Sequence, residues 1–193
     1  MKKLIFATHN SNKVKEVRSL LKGSYEILGL NDIGFAQEII EDKQTIIENS
    51  IAKVKFIKEN TGYDCFADDT GLEVKVLGGK PGVFSKRFAG PNATSEENID
   101  KLLKMLNKHL DRSAQFKTVI SLSKNGEIRT FEGICKGNIA YQRMGDFGFG
   151  YDPIFIPEDK KNSFGQMSLS EKNLIAHRAK AVNKLIEYLT NLY

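Results

Sequence analysis

The chain has 193 residues, with 29 Lys and Arg against 24 Asp and Glu, a formal charge of +5. Hydrophobic residues at 40% and charged residues at 27% exclude wholesale disorder and fit one domain-sized core. No run approaches the ~18 apolar residues of a membrane span. The opening MKKLIFATHN holds an apolar run only over residues 4–7, too short for a signal-peptide core, so a cytoplasmic protein with no membrane partner is expected. Cys65 and Cys135 form neither a metal motif nor a disulfide framework. A pI near 9.1 points to an anionic partner without separating nucleic acid from a small phosphate compound.

The spacing predicts a buried strand over residues 2–7, then the polar loop Thr8-His9-Asn10-Ser11-Asn12-Lys13. Val14, Val17, Leu20 and Leu21 follow at helical spacing, with Gly23 as a stop and a second strand over 24–30. Thr45 and Glu48 have the form of a capping box, opening a helix with Ile47, Ile51, Val54 and Ile57 on its apolar face. A strand over 63–67 runs into Asp68-Asp69-Thr70-Gly71, and a short strand follows over 72–77. Thr94 and Glu97 cap another helix, whose apolar face is Ile99, Leu102, Leu103, Leu106 and Leu110. Strands over 116–123 and 128–135 flank Asn125-Gly126, a strong hairpin signal. The last helix starts at Ser168 or Ser170 and carries the stripe Ile175, Ala179, Val182, Ile186 and Leu189. Helices between strands together with a hairpin predict an α/β fold on a mixed, partly antiparallel twisted sheet with flanking helices.

Four segments are candidates for chemistry. Residues 8–13 stand at a helix start, where unpaired N–H groups and the helix dipole favour a phosphate and Lys13 adds charge. From the residues alone, a plain helix cap at Asn10 or Ser11 with a solvated Lys13 stands ahead of that reading. Asp68 and Asp69 suit a hard cation or the activation of water, and equally an Asx turn into Gly71. Glu38, Glu41 and Asp42 lie upstream and offer a further ligand, though each singly reads as a surface charge. The stretch 146–153 alternates Phe147, Phe149 and Tyr151 with Gly148 and Gly150, which suits a flat base or a glycine-rich turn with its aromatics in the core. On one continuous helix, His177 falls about 200° from Ile175 and Arg178 about −60°. Neither is then a core residue, and alone both read as solvated.

Read together, the blocks FATHNSNKVKE (6–16), TIIENSIAK (45–53), ADDTGLEV (67–74), LGGKPGVFSKRFAG (77–90), FGYDPIF (149–155) and SEKNLIAHRAKAV (170–182) resemble the inosine/xanthosine triphosphate pyrophosphatases, in family order. Lys43 stands where that family often has glycine, and Thr70 where it more often has serine. The resemblance implies a single domain over 1–193, made of two lobes around a central cleft. It implies Mg²⁺-dependent hydrolysis of ITP, dITP and XTP to the monophosphate and pyrophosphate, by a homodimer. It assigns Thr8, His9, Asn10, Ser11, Asn12 and Lys13 to the substrate, mainly its phosphates. Glu41 and Asp69 go to the metal, with Asp69 also the general base and Asp68 beside it. Thr70 is a substrate contact. Phe149, Gly150, Tyr151 and Asp152 line the nucleoside pocket, and Lys172, His177 and Arg178 meet the base. The alternatives are a pyrophosphatase for other modified nucleotides and a non-catalytic basic module that binds nucleic acid. The paired Asp68 and Asp69 oppose the second, because carboxylates repel a polyanion unless a metal intervenes.

Overall fold

A computed structural model describes residues 2–21 and 25–191; the stop expected at Gly23 and the first residue of the strand expected from Ser24 lie outside them. β1 (Lys2–Phe6) leads through α1 (Ser11–Leu20) to β2 (Tyr25–Gly29), and the two strands pair in parallel. α2 (Ile46–Thr61) carries the chain back to β3 (Cys65–Val74), parallel to β1 on its other side. A helix between parallel neighbours is the expected crossover. β4 (Lys80–Gly82) returns antiparallel to β3 before α3 (Ser95–Leu106). β5 (Ser113–Lys124) and β6 (Glu127–Ile139) are joined by the expected two-residue turn, with φ of 52° at Asn125 and 83° at Gly126. β7 (Phe155–Pro157) pairs antiparallel with β6, and α4 (Leu169–Ile175) and α5 (His177–Thr190) follow. The sheet order is β2-β1-β3-β5-β6-β7 with β4 beside β3, so the expected mixed α/β sheet is observed.

The chain divides into two compact units, neither contiguous in sequence: residues 1–69, 118–133 and 178–193 form one, and residues 70–117 and 134–177 the other. In the first unit, Phe6, Val17, Phe66, Ile120, Val182 and Leu185 build one core and Ile5, Leu30, Val54, Ile57 and Cys65 a second. In the second unit, Leu72, Ile99, Leu102, Phe116, Phe155 and Phe164 surround a single core. No helix among the described residues is long and apolar enough to cross a membrane.

Five local expectations are corrected. Asp68-Asp69-Thr70-Gly71 is no turn, because β3 continues through it to Val74, and residues 75–77 form a 3₁₀ turn instead of more strand. On α2 the buried face is Ile46, Asn49, Ser50, Lys53, Val54 and Ile57, whereas Ile47 is 43% exposed. Leu110 lies beyond the end of α3 and is 91% exposed. The last helix is two helices: Ala176 is extended at ψ 152°, which ends α4 and restarts the chain as α5. That break resets the helical phase. His177 and Arg178 are therefore buried, at 3% and 2% exposure, instead of facing solvent.

Arg112 ties α3 to the sheet within the second unit. Its guanidinium is buried and donates to the carbonyls of Leu106 at 3.1 Å, Ile139 at 2.7 Å and Ala140 at 2.8 Å. Truncation leaves buried acceptors without donors, each costing ~1–3 kcal/mol. Arg112→Ala is expected to lower unfolding free energy by about 3 kcal/mol in urea titration, and a loss under 1 kcal/mol would show that water replaces the guanidinium.

Candidate functional site

The first unit gathers one set of the expected residues. Asn10 caps α1, its Oδ1 accepting from the backbone of Asn12 at 3.0 Å and Lys13 at 3.2 Å, while its own N–H donates to Thr8 Oγ1 at 3.2 Å. The cap reading of Asn10 is thus correct, but Lys13 is not solvated. Its ammonium reaches Asp68 Oδ1 at 2.8 Å, and burial, only partly opposed by Asp68, lowers its pKa. No acidic residue occupies the first turn of α1, so its positive end is not neutralised locally. Ser11 and Asn12 are exposed on that turn. The His9 ring meets Asn31 Oδ1 at 2.9 Å and the Gln37 carbonyl at 3.0 Å, tethering the loop to the segment ahead of Glu41.

Strand alternation explains how two adjacent aspartates coexist: consecutive side chains on β3 point to opposite faces. Asp68 is buried between Lys13, on Oδ1, and the Arg178 Nε, which donates to Oδ2 at 2.9 Å. Burial alone pushes its pKa up, but Lys13, Arg178 and Lys53 outweigh that and hold the carboxyl well below the usual range. Asp69 meets Lys53, whose ammonium donates to Asp69 Oδ1 at 2.9 Å, to the Asp68 carbonyl at 2.9 Å and pairs with Glu41 Oε1 at 2.5 Å. Burial dominates at Asp69 and raises its pKa above 3.8 despite Lys53. At Lys53 the balance reverses: burial is overcome by Asp69 and Glu41, and the ammonium rises from 10.5 to about 12.

Lys53 and Asn49 are the residues missed from sequence. Asn49 Nδ2 is 3.5 Å from Asp69 Oδ2, and its Oδ1 accepts the Lys43 N–H at 3.0 Å, which links the Glu41 loop to Asp69. Lys43 holds this position without the positive φ a glycine would permit, since Asn125 and Asp159 are the described non-glycine residues with positive φ. The missed signal is the i, i+4 pair Asn49 and Lys53 lying in phase with Ile46, Val54 and Ile57. Glu38 and Asp42 are exposed, and Asp42 pairs with its neighbour Lys43 at 2.8 Å.

Glu41 and Asp69 converge on a single cationic point, the Lys53 ammonium. Two hard oxygen donors of this kind suit Mg²⁺, which takes one or two carboxylates and fills its shell with water and phosphate oxygens. Among the described residues no three His, Cys, Asp or Glu side chains form a complete metal cage.

The second unit gathers another set. Asp152 and Lys172 form a buried ion pair at 2.6 Å, and Asp152 Oδ2 also accepts the Phe149 N–H at 2.8 Å. The Lys172 ammonium lies 5.0 Å from the Phe149 ring centre and 5.4 Å from that of Phe164. Gly148 at φ 78° makes this turn possible, because a Cβ there would stand 2.1 Å from Asp152 Oδ2. Gly150 also has positive φ, at 60°. Tyr151 faces the core and donates from its hydroxyl to the Ser85 carbonyl at 2.9 Å. His177 stacks on Phe116 at 4.5 Å, and Thr70 is half-buried on β3. The glycine-rich turn reading is thus observed for Tyr151, which lies in the core, whereas Phe149 is half-buried against the Lys172 cation.

Comparison with known proteins shows which sequences and structures this chain resembles. A dITP/XTP pyrophosphatase of Christiangramia forsetii is 50% identical over 188 residues, covering 97% of this chain and 99% of that protein. One of Porphyromonas gingivalis is 46% identical, covering 98% of each. Among solved structures, the Staphylococcus aureus Ham1 protein matches with a TM-score of 0.89 at 36% identity over 100% of both chains. A HAM1 protein from Coxiella burnetii matches equally well, at 0.89 and 36%, over 99% of this chain and 100% of that one. The Ham1 family model matches residues 4–188. With that match spanning nearly the whole sequence and relatives this similar along their full length, the chain belongs to the Ham1 family.

Proposed function

We propose that this protein hydrolyses dITP, XTP and ITP to the nucleoside monophosphate and pyrophosphate. The observation that carries the reading is the division of labour at the adjacent aspartates: Asp68 is locked between Lys13 and Arg178, while Asp69 shares Lys53 with Glu41. Relatives named dITP/XTP pyrophosphatases point to the same chemistry.

Positioning and charge neutralisation do most of the work in phosphate transfer. Glu41 and Asp69 would hold Mg²⁺, which when bound supplies positive charge to the phosphate oxygens. Asp69, its basicity raised by burial, accepts the proton of the attacking water. Lys13 and the N-terminal turn of α1, with Thr8, Asn10, Ser11 and Asn12, bind the phosphates and the departing pyrophosphate. Lys53 keeps the two carboxylates apart from one another's charge. Phe149 offers a ring to the purine, Gly150, Tyr151 and Asp152 shape that pocket, and Lys172 and His177 favour a 6-oxo group over a 6-amino group. Such a mismatch of buried polar groups discriminates by ~10⁴ at its strongest. Work as a cytoplasmic homodimer on free nucleotides belongs to the same proposal. The nucleic-acid-binding alternative is weakened because Asp68 and Asp69 stand among these cations, and carboxylates repel a polyanion unless a metal intervenes.

The test is pyrophosphate release from dITP, XTP and ITP beside dATP, dGTP and dTTP, with Mg²⁺ and again with EDTA. The expected result is turnover of the first three at least about a hundredfold above the others, abolished by the chelator. Equal turnover of dITP and dATP would exclude base selection, and release only from other modified nucleotides would favour the second pyrophosphatase reading.

A further inference from the structure

Glu16 carries a buried charge for which the roles above have no use. It sits on α1 three residues after Lys13, so the two share a helix face. Its Oε2 accepts from Arg178 Nη1, and the Arg178 Nε donates to Asp68 Oδ2 at 2.9 Å. Side-chain exposures are 7% for Glu16, 3% for Arg178 and 0% for Asp68. Asp68 Oδ1 in turn accepts from Lys13 at 2.8 Å. The contacts therefore run from α1 through α5 to β3 and back to α1, closing a ring of alternating charge.

A guanidinium gripped by one carboxylate still swings about that contact. Gripped by two, through different nitrogens, its plane is set in position and rotation. We infer that Glu16 is a positioning residue of the proposed active site: it orients Arg178, and through Arg178 it holds Asp68 and the Lys13 ammonium in register. This rests on the pyrophosphatase reading. Neutralising Arg178 alone would also account for a buried carboxylate, but that role predicts lost stability without a specific kinetic signature. Positioning predicts that kcat falls while KM holds, because Glu16 is spent on Arg178 and does not bind substrate itself.

The experiment compares dITP hydrolysis by the parent chain, Glu16→Gln, Arg178→Lys and the double variant, with urea unfolding of each. Glu16→Gln keeps the shape and an acceptor oxygen but removes the charge. The expected result is a kcat about tenfold lower with KM within about threefold. In the Arg178→Lys background, which lacks the planar fork, Glu16→Gln should cost less than about twofold more, since both changes break one unit. If Glu16→Gln fails to fold, Glu16→Asp retains the charge at shorter reach, and a lowered kcat in that folded variant supports the inference. Parent-like kcat in the folded Glu16 variant, or losses that multiply in the double variant, overturns it. A parent chain that releases no pyrophosphate from dITP or XTP overturns the functional reading, and the inference with it.

Discussion

An Asp69→Asn variant is expected to fold at least as well as the parent chain and to release pyrophosphate from dITP about 10²–10⁴-fold more slowly. The two halves of that expectation have one cause. Burial raises the Asp69 pKa above 3.8 even with Lys53 beside it, so in the neutral range the fold carries a carboxylate it does not favour. The same destabilisation makes Asp69 a better proton acceptor than an exposed aspartate. Asparagine keeps the shape and loses both properties, which is a stability–activity trade at a functional site. The sign is testable. A raised folded pKa means the penalty is absent below 3.8, where the group is protonated in both states, and complete above the folded value. Urea unfolding should therefore show Asp69→Asn level with the parent in strong acid and equal or more stable near neutrality. Turnover within tenfold of the parent would remove Asp69 from the base role.

One residue earlier, the same substitution should act in the opposite way. Asp68→Asn is expected to lose about 3–5 kcal/mol of stability, because it leaves the buried Lys13 and Arg178 without the carboxylate between them. The Asp68 pKa is depressed by Lys13, Arg178 and Lys53 against the effect of burial, so its ionised form stabilises the fold. That stabilisation is present above the unfolded value of 3.8 and is lost only as pH falls through the lower folded value. The deficit of Asp68→Asn should thus be full at neutral pH and shrink only in strong acid. Its measure is the urea midpoint across pH. A midpoint matching the parent at pH 7 would mean that other groups balance the two cations.

This contrast was half legible beforehand. Asp68-Asp69 stood out from the residue types, and the family resemblance separated their roles. Assigning each to its own partners needed the continuous strand through Gly71, which local turn chemistry argued against. A strand buried on both faces is stabilised by neighbours far away in sequence, and those overrode the turn propensity of Asp-Asp-Thr-Gly. Lys53 escapes sequence patterning for a related reason. Phasing α2 on Ile47 and Ile51 turns Lys53 outward, whereas the folded helix buries Asn49, Ser50 and Lys53 and leaves Ile47 exposed. Ranking side chains by hydrophobicity fails where a buried ammonium is stabilised by Glu41 and Asp69.

The features that local rules control were available from the residues: the cap at Thr94, a helix start at Ser168 or Ser170, the Asn125-Gly126 hairpin, the alternation of helices and strands, and the glycines around Phe149. They depend on backbone sterics and on hydrogen bonds a few positions apart. The ion-pair network does not. Glu16, Lys13, Asp68 and Arg178 come from three distant segments, and His177 and Arg178 enter the interior because Ala176 breaks the final helix. Which charge faces which is settled by long-range packing, since burial makes each unpaired charge too costly to tolerate and leaves one arrangement in which all are matched.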